Sequence, residues 1–277
     1  MNFHNVINEI EKADPEVYER LDGRRTALKG FAKMAGKITL AAAPVALGGM
    51  FKKAYGQTST AIVDVLNFAL TLEYLEAEFY IKGLAAANLI PAGVARAAFQ
   101  TISAHENAHV TFLRTTITTL GGTPVAKPVF DFSGGNGSGI GPFKDAFINY
   151  PLFLSVSQAL EDTGVRAYKG QAGALISNND VLTAALRIHS VEARHAAHVR
   201  KMRKEMGAPQ DPWITLKDTG GIGAVVQGNY NGEENTVQAG VQITNIAPGI
   251  TAAIASESFD EPLTKAEVLV LIDGFIV

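Results

Sequence analysis

The tightest constraint on this chain is where its histidines fall. Five of the 6 lie in two stretches of helical pattern, as His105, His109, His189, His195 and His198. Two of them close a Glu-x-x-His motif, Glu106-Asn-Ala-His109 and Glu192-Ala-Arg-His195. Three residues turn an α-helix through about 300°, which puts Glu and His on one face, a turn apart. Two other helical segments each carry a lone glutamate in matching context. Glu73 is followed seven residues later by Tyr80, and Glu161 by Tyr168. Seven residues, about 700°, return to nearly the same face. The steps from Glu73 to Glu106 and from Glu161 to Glu192 are 33 and 31 residues. The chain is thus a weak internal repeat, a lone-Glu helix followed by a Glu-x-x-His helix, run twice.

The punctuation around these motifs predicts four long helices. The first runs from about Thr60 to Ala87, entered through the N-cap types Thr58-Ser-Thr60. The second has Pro91 in its first turn and stops at Gly121-Gly122. The third fills Tyr150 to Ser177, and the fourth Asp180 to Met206, with Gly207 as its stop. Short joins within each pair make antiparallel hairpins. Residues 121–143 are rich in Gly, Pro and Ser and cannot be helical. A helix of roughly 28 residues is about 40 Å long, and a link of about 20 residues can span it. The second hairpin can therefore start at the far end of the first, an all-α four-helix bundle with one long crossover. Residues 208–250 mix Gly, Asn and β-branched residues, with alternation at 225–230 and 237–243, and predict a hairpin or an irregular, extended C-terminal arm laid on the bundle. Thr264 to Phe275 predicts a short last helix. The resulting division is 1–57, 58–207 and 208–277.

The chain has no cysteine, so any metal must be held by imidazole nitrogen and carboxylate oxygen, donors suited to iron, manganese or zinc. Four glutamates and two histidines, Glu73, Glu106, His109, Glu161, Glu192 and His195, form the candidate ligand set. They follow the general pattern of carboxylate-bridged dimetal bundles. Four carboxylates would balance two divalent ions in a dry core, and two neutral imidazoles would leave open positions for dioxygen, peroxide or water. Apolar neighbours, Leu72, Leu75, Ala77 and Phe79 on one helix and Ala104, Ala108, Val110 and Phe112 on another, favour burial over a solvated face. Weaker candidates surround the set. Glu76 is open between a seventh ligand and a surface or supporting position. His189 and His198 are open between support and plain surface. His105 points about 100° away from Glu106 and is left out. Tyr80 and Tyr168 are open between hydrogen-bonding the ligands and core packing, and Asp162 is a candidate to orient a ligand histidine.

The first 57 residues predict an export address. Arg24 and Arg25 lead into an uncharged stretch from Ile38 to Phe51, followed by Ala54-Tyr-Gly56 as a cleavage region. That stretch is too short to cross a bilayer, and with the paired arginines it resembles a twin-arginine signal. An acidic segment precedes it, making the leader long. Without residues 1–57 the 24 basic and 27 acidic residues become 15 and 21, a net charge of -6 in place of -3. That balance does not suit nucleic acid as a partner.

Leu66-Asn67 through Glu73 to Tyr80 resembles the first helix of bacterioferritin-type proteins. Leu160-Glu-Asp-Thr-Gly-Val165, Ala167-Tyr-Lys-Gly170 and Val191-Glu-Ala-Arg-His-Ala196 resemble ferritin-like domain proteins, the group with plant desiccation-related proteins and exported bacterial relatives. Phe130-Asp-Phe132, Gly232-Glu-Glu-Asn235 and Phe259-Asp-Glu-Pro-Leu263 are similar to that group too, so the resemblance covers residues 58–277. It implies a ferritin-like bundle with two iron or manganese ions on the six ligands. As an enzyme it would be a dimetal oxidoreductase, catalase- or oxidase-like, that consumes peroxide or dioxygen in the periplasm or cell envelope after passage through the twin-arginine export machinery. The alternative implied is a non-catalytic metal-binding or stress- and desiccation-protective protein. Monomer and homo-oligomer both remain open.

Overall fold

A computed structural model of the protein describes residues 60–277; the export address at 1–57, and the capping residues Thr58 and Ser59, lie outside them. Four long helices dominate: α1 Thr60–Ala85, α2 Val94–Thr119, α3 Tyr150–Ala172 and α4 Asn179–Glu205. α1 packs along α2, α3 packs along α4, and α1 also meets α3, so the two hairpins close on one core. The helix ends follow side-chain and backbone chemistry. Asn149 accepts from the Leu152 amide at the start of α3, with Pro151 in its first turn, and Asn178 accepts from the Val181 amide at the start of α4. α2 closes with Leu120 N–H on Thr116 O and Gly122 N–H on Ile117 O, with Gly121 left-handed at φ 80°.

Two boundaries differ from expectation. Pro91 does not lie in the first turn of α2, which starts at Val94. Gly93, at φ 87°, is its cap, and a left-handed residue there breaks the helical path that Pro91 would have had to enter. α3 ends at Ala172 and continues as a 3-10 turn over Gly173–Leu175, short of Ser177.

The crossover, residues 120–149, forms no long regular element. Its path is fixed by aromatic packing and by the C terminus. Phe79 stacks on Phe153 at 5.0 Å between ring centres and touches Phe132 and Phe147 of the crossover. Phe130 pairs with Ile276 as an isolated antiparallel bridge, with Asp131 N–H on Phe275 O and Val277 N–H on Val129 O.

Residues 208–277 lie against α3 and α4 as turns and short helices, α5 Ala252–Ser256 and α6 Lys265–Ile272, with one two-residue ladder, β1 Val237–Gln238 on β2 Val241–Gln242. The alternating stretch at 225–230 is not extended; Ala224–Asn229 is a 3-10 turn. Val226 and Tyr230 are both buried while Gly228 between them is exposed, which suits a helical turn, since a strand would line all three on one face. α6 starts with a capping box in which Thr264 and Glu267 exchange hydrogen bonds. Among the described residues no helix is long and apolar enough to cross a membrane.

Candidate metal centre

The six predicted ligands converge in the middle of the bundle. Glu73, Glu106, Glu161 and Glu192 are all fully buried, His195 is 5 % exposed, and the His109 side chain is 12 % exposed. Each helix supplies its share, one glutamate from α1 and from α3, a Glu-x-x-His pair from α2 and from α4. The donor atoms form two overlapping quartets, Glu73–Glu106–His109–Glu192 and Glu106–Glu161–Glu192–His195, each within 4.8 Å, so each can hold a metal ion. Glu106 and Glu192 belong to both. Glu106 makes the sharing explicit: Oε2 lies 3.0 Å from His109 Nδ1 and Oε1 lies 2.8 Å from His195 Nδ1. His109 Nδ1 is also 3.1 Å from Glu73 Oε2 and 3.1 Å from Glu192 Oε1, and His195 Nδ1 is 3.3 Å from Glu161 Oε2.

His109 Nδ1 hydrogen-bonds Glu73 Oε2 and Glu106 Oε2, but the other contacts are proximity without hydrogen bonding. Glu106 Oε1, Glu161 Oε2, both Glu192 oxygens and His195 Nδ1 are buried without an aligned hydrogen-bond partner. Native interiors leave few such atoms. Four carboxylates face two imidazoles there, a balance that a cation would complete. The donors are hard oxygens and borderline nitrogens, the set that suits iron, manganese or zinc, so the residues fit a dimetal group.

The electrostatics state the same demand. Burial, then the Glu192 charge, raises Glu76 well above the ordinary carboxylate range, and burial followed by Glu106 and Glu73 does so for Glu192. Burial lifts Glu106 to about 7 against the pull of both histidines. Glu73 goes the other way: burial works to raise it, and His109 with Tyr168 more than offsets this. His195 is pushed up to about 11, its burial outweighed by Glu161 and Glu106, and His109 is raised further by Glu73, Glu106 and Glu192. Without metal the cluster gathers protons, as a metal site does when its cations are replaced.

Tyr80 and Tyr168 hold the lone glutamates crosswise. The Tyr80 hydroxyl on α1 donates to Glu161 Oε1 on α3, and that of Tyr168 on α3 donates to Glu73 Oε1 on α1. Both contacts orient the clustered glutamates. Glu76 is buried beside the set but outside both quartets. Gly164 explains how it fits. A Cβ on Gly164 would stand 3.2 Å from Glu76 Oε1 and 3.3 Å from Glu192 Oε2, so the bare backbone of α3 makes the room.

His105, left out on rotation, reaches the site after all: its Nδ1 lies 2.9 Å from His195 Nε2, with the rings stacked 5.2 Å apart. The repeat gave no signal for it, since its counterpart in the second half is Val191. Asp162 does not orient a ligand histidine. It faces away from the cluster and pairs with Arg200, whose Nε and Nη2 donate to Oδ1 and Oδ2 at 3.0 and 2.6 Å, and Tyr230 OH donates to Oδ2 at 2.7 Å. One residue beyond Glu161 is about 100° around the helix, enough to leave the core face. His198 is exposed, and His189 is half-buried near Asp260 and Lys169, apart from the quartets.

A search of curated proteins finds no match to the chain. Comparison with protein families matches residues 61–205, just over half its length, to the ferritin-like domain. That span starts in α1 and ends with α4, enclosing all six clustered residues. The chain belongs to the ferritin-like domain family.

Proposed function

We propose that the bundle holds two ions, iron or manganese, on Glu73, Glu106, His109, Glu161, Glu192 and His195, and uses them in redox chemistry on peroxide or dioxygen. The observation that carries this is the pair of quartets sharing Glu106 and Glu192, with buried oxygens that nothing among the described residues satisfies. When bound, the ions would supply the one-electron redox chemistry that such a small oxygen species needs. The chain's own residues do the rest. Glu106 and Glu192, common to both quartets, would serve both ions, while Glu73 with His109 and Glu161 with His195 would each serve one. Tyr80 and Tyr168 fix the outer oxygens of the lone glutamates, which holds the free lone pairs on the metal side. With His195 Nδ1 turned to the cluster, its Nε2 keeps the proton and donates it to His105 Nδ1. His105 lies largely at the surface and gives that proton a way to solvent. The apolar core, with Leu72, Leu75, Phe79 and Leu113 buried on α1 and α2, keeps bulk water from the ligands.

The paired arginines and short uncharged stretch support export to the periplasm or cell envelope by the twin-arginine route. Loading before export would favour iron or manganese over copper, which such donors otherwise prefer. An Arg24→Lys/Arg25→Lys chain should then stay in the cytoplasm; secretion at the unaltered level would contradict this part.

The test of function is elemental analysis with a peroxide and oxygen consumption assay. Protein purified without chelator should carry about two equivalents of iron or manganese, and Glu106→Gln/Glu192→Gln should lose both metal and turnover. Metal-free protein of unaltered sequence that cannot be reloaded would contradict the reading.

A further inference from the structure

The internal repeat builds two core layers, one on each side of the ligand cluster, and they are packed differently. Glu73 and Glu161 correspond, as do Tyr80 and Tyr168, each pair 88 residues apart. Glu106 and Glu192, like His109 and His195, are 86 apart. Tyr80 reaches Glu161 and Tyr168 reaches Glu73, so α1 and α3 run antiparallel and each tyrosine marks one layer. In the Tyr80 layer Phe79, Phe99 and Phe153 are fully buried, with the Phe153 ring centre 5.0 Å from that of Phe79 and 4.9 Å from that of Phe99. By the same steps their counterparts in the Tyr168 layer are Ala167, Ala185 and Val65. Two methyl groups and an isopropyl group stand there in place of three benzyl groups.

The Tyr168 layer does not close over the loss. Phe68 and Phe112, opposite Val156 and His198 in the repeat, restore part of the volume. A cavity of about 20 Å³ remains, lined by Val65, Ala167, Ala185 and Tyr168 among others. Native cores leave few voids larger than a water, and one water needs about 10–15 Å³. Water is poorly served in this one. Its lining hydroxyls are already engaged, Thr116 on Phe112 O at 2.9 Å and Tyr168 on Glu73, and Gln171 stands at the half-buried rim. Apolar cavities of this kind stay dry and admit apolar guests such as xenon. The cavity also lies against the cluster. Tyr168 lines it and bonds Glu73, and two further lining residues, Leu113 and Ile188, are one helical turn from His109 and Glu192.

We propose that this cavity is a docking site for one molecule of dioxygen beside the metal centre. This rests on the dimetal reading above and narrows its substrate. Dioxygen is apolar and diatomic, and it loses no hydrogen bonds on entering. Hydrogen peroxide carries two O–H groups that this lining would leave unsatisfied. Val65, Ala167 and Ala185 open the space that phenylalanines close in the mirrored layer.

Xenon is the probe for the cavity, because it is apolar and is seen by anomalous diffraction with no metal needed. Crystals of the protein pressurised with xenon should show a peak between Val65, Ala167 and Ala185, and none among Phe79, Phe99 and Phe153. Ala185→Val, and separately Ala167→Val, adds two carbon atoms to the lining and should abolish the peak; circular dichroism checks that each variant folds. No xenon there in the unaltered protein, or an ordered water in its place, overturns the proposal and leaves two-ion binding intact. In the metal-loaded protein Ala185→Val should raise the KM for dioxygen about tenfold, within the range set by one methylene in an apolar pocket, and the KM for peroxide far less. An unchanged dioxygen KM, or an equal rise for peroxide, overturns the dioxygen assignment. Unaltered protein that takes up no metal overturns the dimetal reading and the dioxygen assignment with it, while the xenon peak still decides the cavity.

Discussion

Helices α3 and α4 carry buried charge on two opposite faces, and the two clusters are balanced differently. On the outer face, against residues 208–277, Arg166, Arg200 and Arg203 are almost fully buried. Arg166 donates to the carbonyls of Glu261, Asn229 and Asn231 at 2.8, 2.5 and 2.8 Å, and Nε lies 2.6 Å from Glu233 Oε1. Arg200 forks onto Asp162, Tyr230 caps the same carboxylate, and Arg203 donates to Gln158 Oε1 and Gly220 O. Each guanidinium there finds acceptors within the chain, and Glu233 Oε2 is the one oxygen of that cluster left over, so the outer cluster fastens the C-terminal arm to the bundle. On the inner face carboxylates outnumber cations and several donor atoms have no partner. Buried charge alone therefore marks nothing. What separates a clamp from a ligand site is whether the protein supplies the opposite charge itself.

The sharpest way to break that contrast is to remove one charge from each face. Arg166→Ala should destabilise the metal-free protein by about 3–5 kcal/mol, because it leaves the Glu233 charge buried without a cation, held only by the Glu261 amide, and three carbonyls without a donor. Glu106→Gln/Glu192→Gln should leave the metal-free protein as stable as before or more so, since it relieves like-charge crowding. Urea midpoints read both; equal losses on the two faces would erase the distinction.

Loading should reverse the inner cluster's response to pH. Glu76, Glu106 and Glu192 have folded values raised above those of the unfolded chain, so rising pH ionises the unfolded state first and stability falls. The raised histidines act in the same direction: their contribution is complete below their unfolded value, and for His195 it is lost towards about 11. Melting temperature of the metal-free protein should therefore decline between about pH 5 and 8. Metal should oppose this, giving about 4 kcal/mol at a thousandfold excess over Kd. Thermal scans with and without manganese check it; metal stabilisation that shrinks as pH rises would be the wrong sign.

A smaller effect separates fold from site at Gly164. Ala there gains up to about 1 kcal/mol of helix propensity, yet its methyl group meets Glu76 and Glu192. Metal affinity should fall about tenfold while metal-free stability barely changes. Smallest of all, Tyr80→Phe should loosen Glu161 and cost less than about 2 kcal/mol of stability, with the Glu161–His195 position affected more than its neighbour in a cobalt titration.

The contrast also explains what the sequence could disclose. All six clustered residues were legible because helical spacing is local and the repeat showed each motif twice. The burial of Glu76 was not, since residues one turn apart share a face whether or not the opposite helix makes room. Its signal was Gly164 at the matching place in the repeat. His105 had no repeat partner, and only the approach of α4 brings it to His195. The outer clamp was invisible for another reason. Arg166 reaches backbone carbonyls 63 to 95 residues away, and carbonyls carry no sequence signature. The 3-10 turn at Ala224–Asn229 was misread as extended because alternation over so short a run does not distinguish a strand from a turn with Val226 and Tyr230 buried together.

The central claim is that two ions lie between the four helices with Glu106 and Glu192 shared between them. Anomalous diffraction from crystals of the manganese-loaded protein tests it most directly. The account predicts two peaks in the bundle core, one bounded by Glu73 and His109, the other by Glu161 and His195, with Glu106 and Glu192 touching both. A single peak outside the quartets, or none with metal in excess, would contradict it.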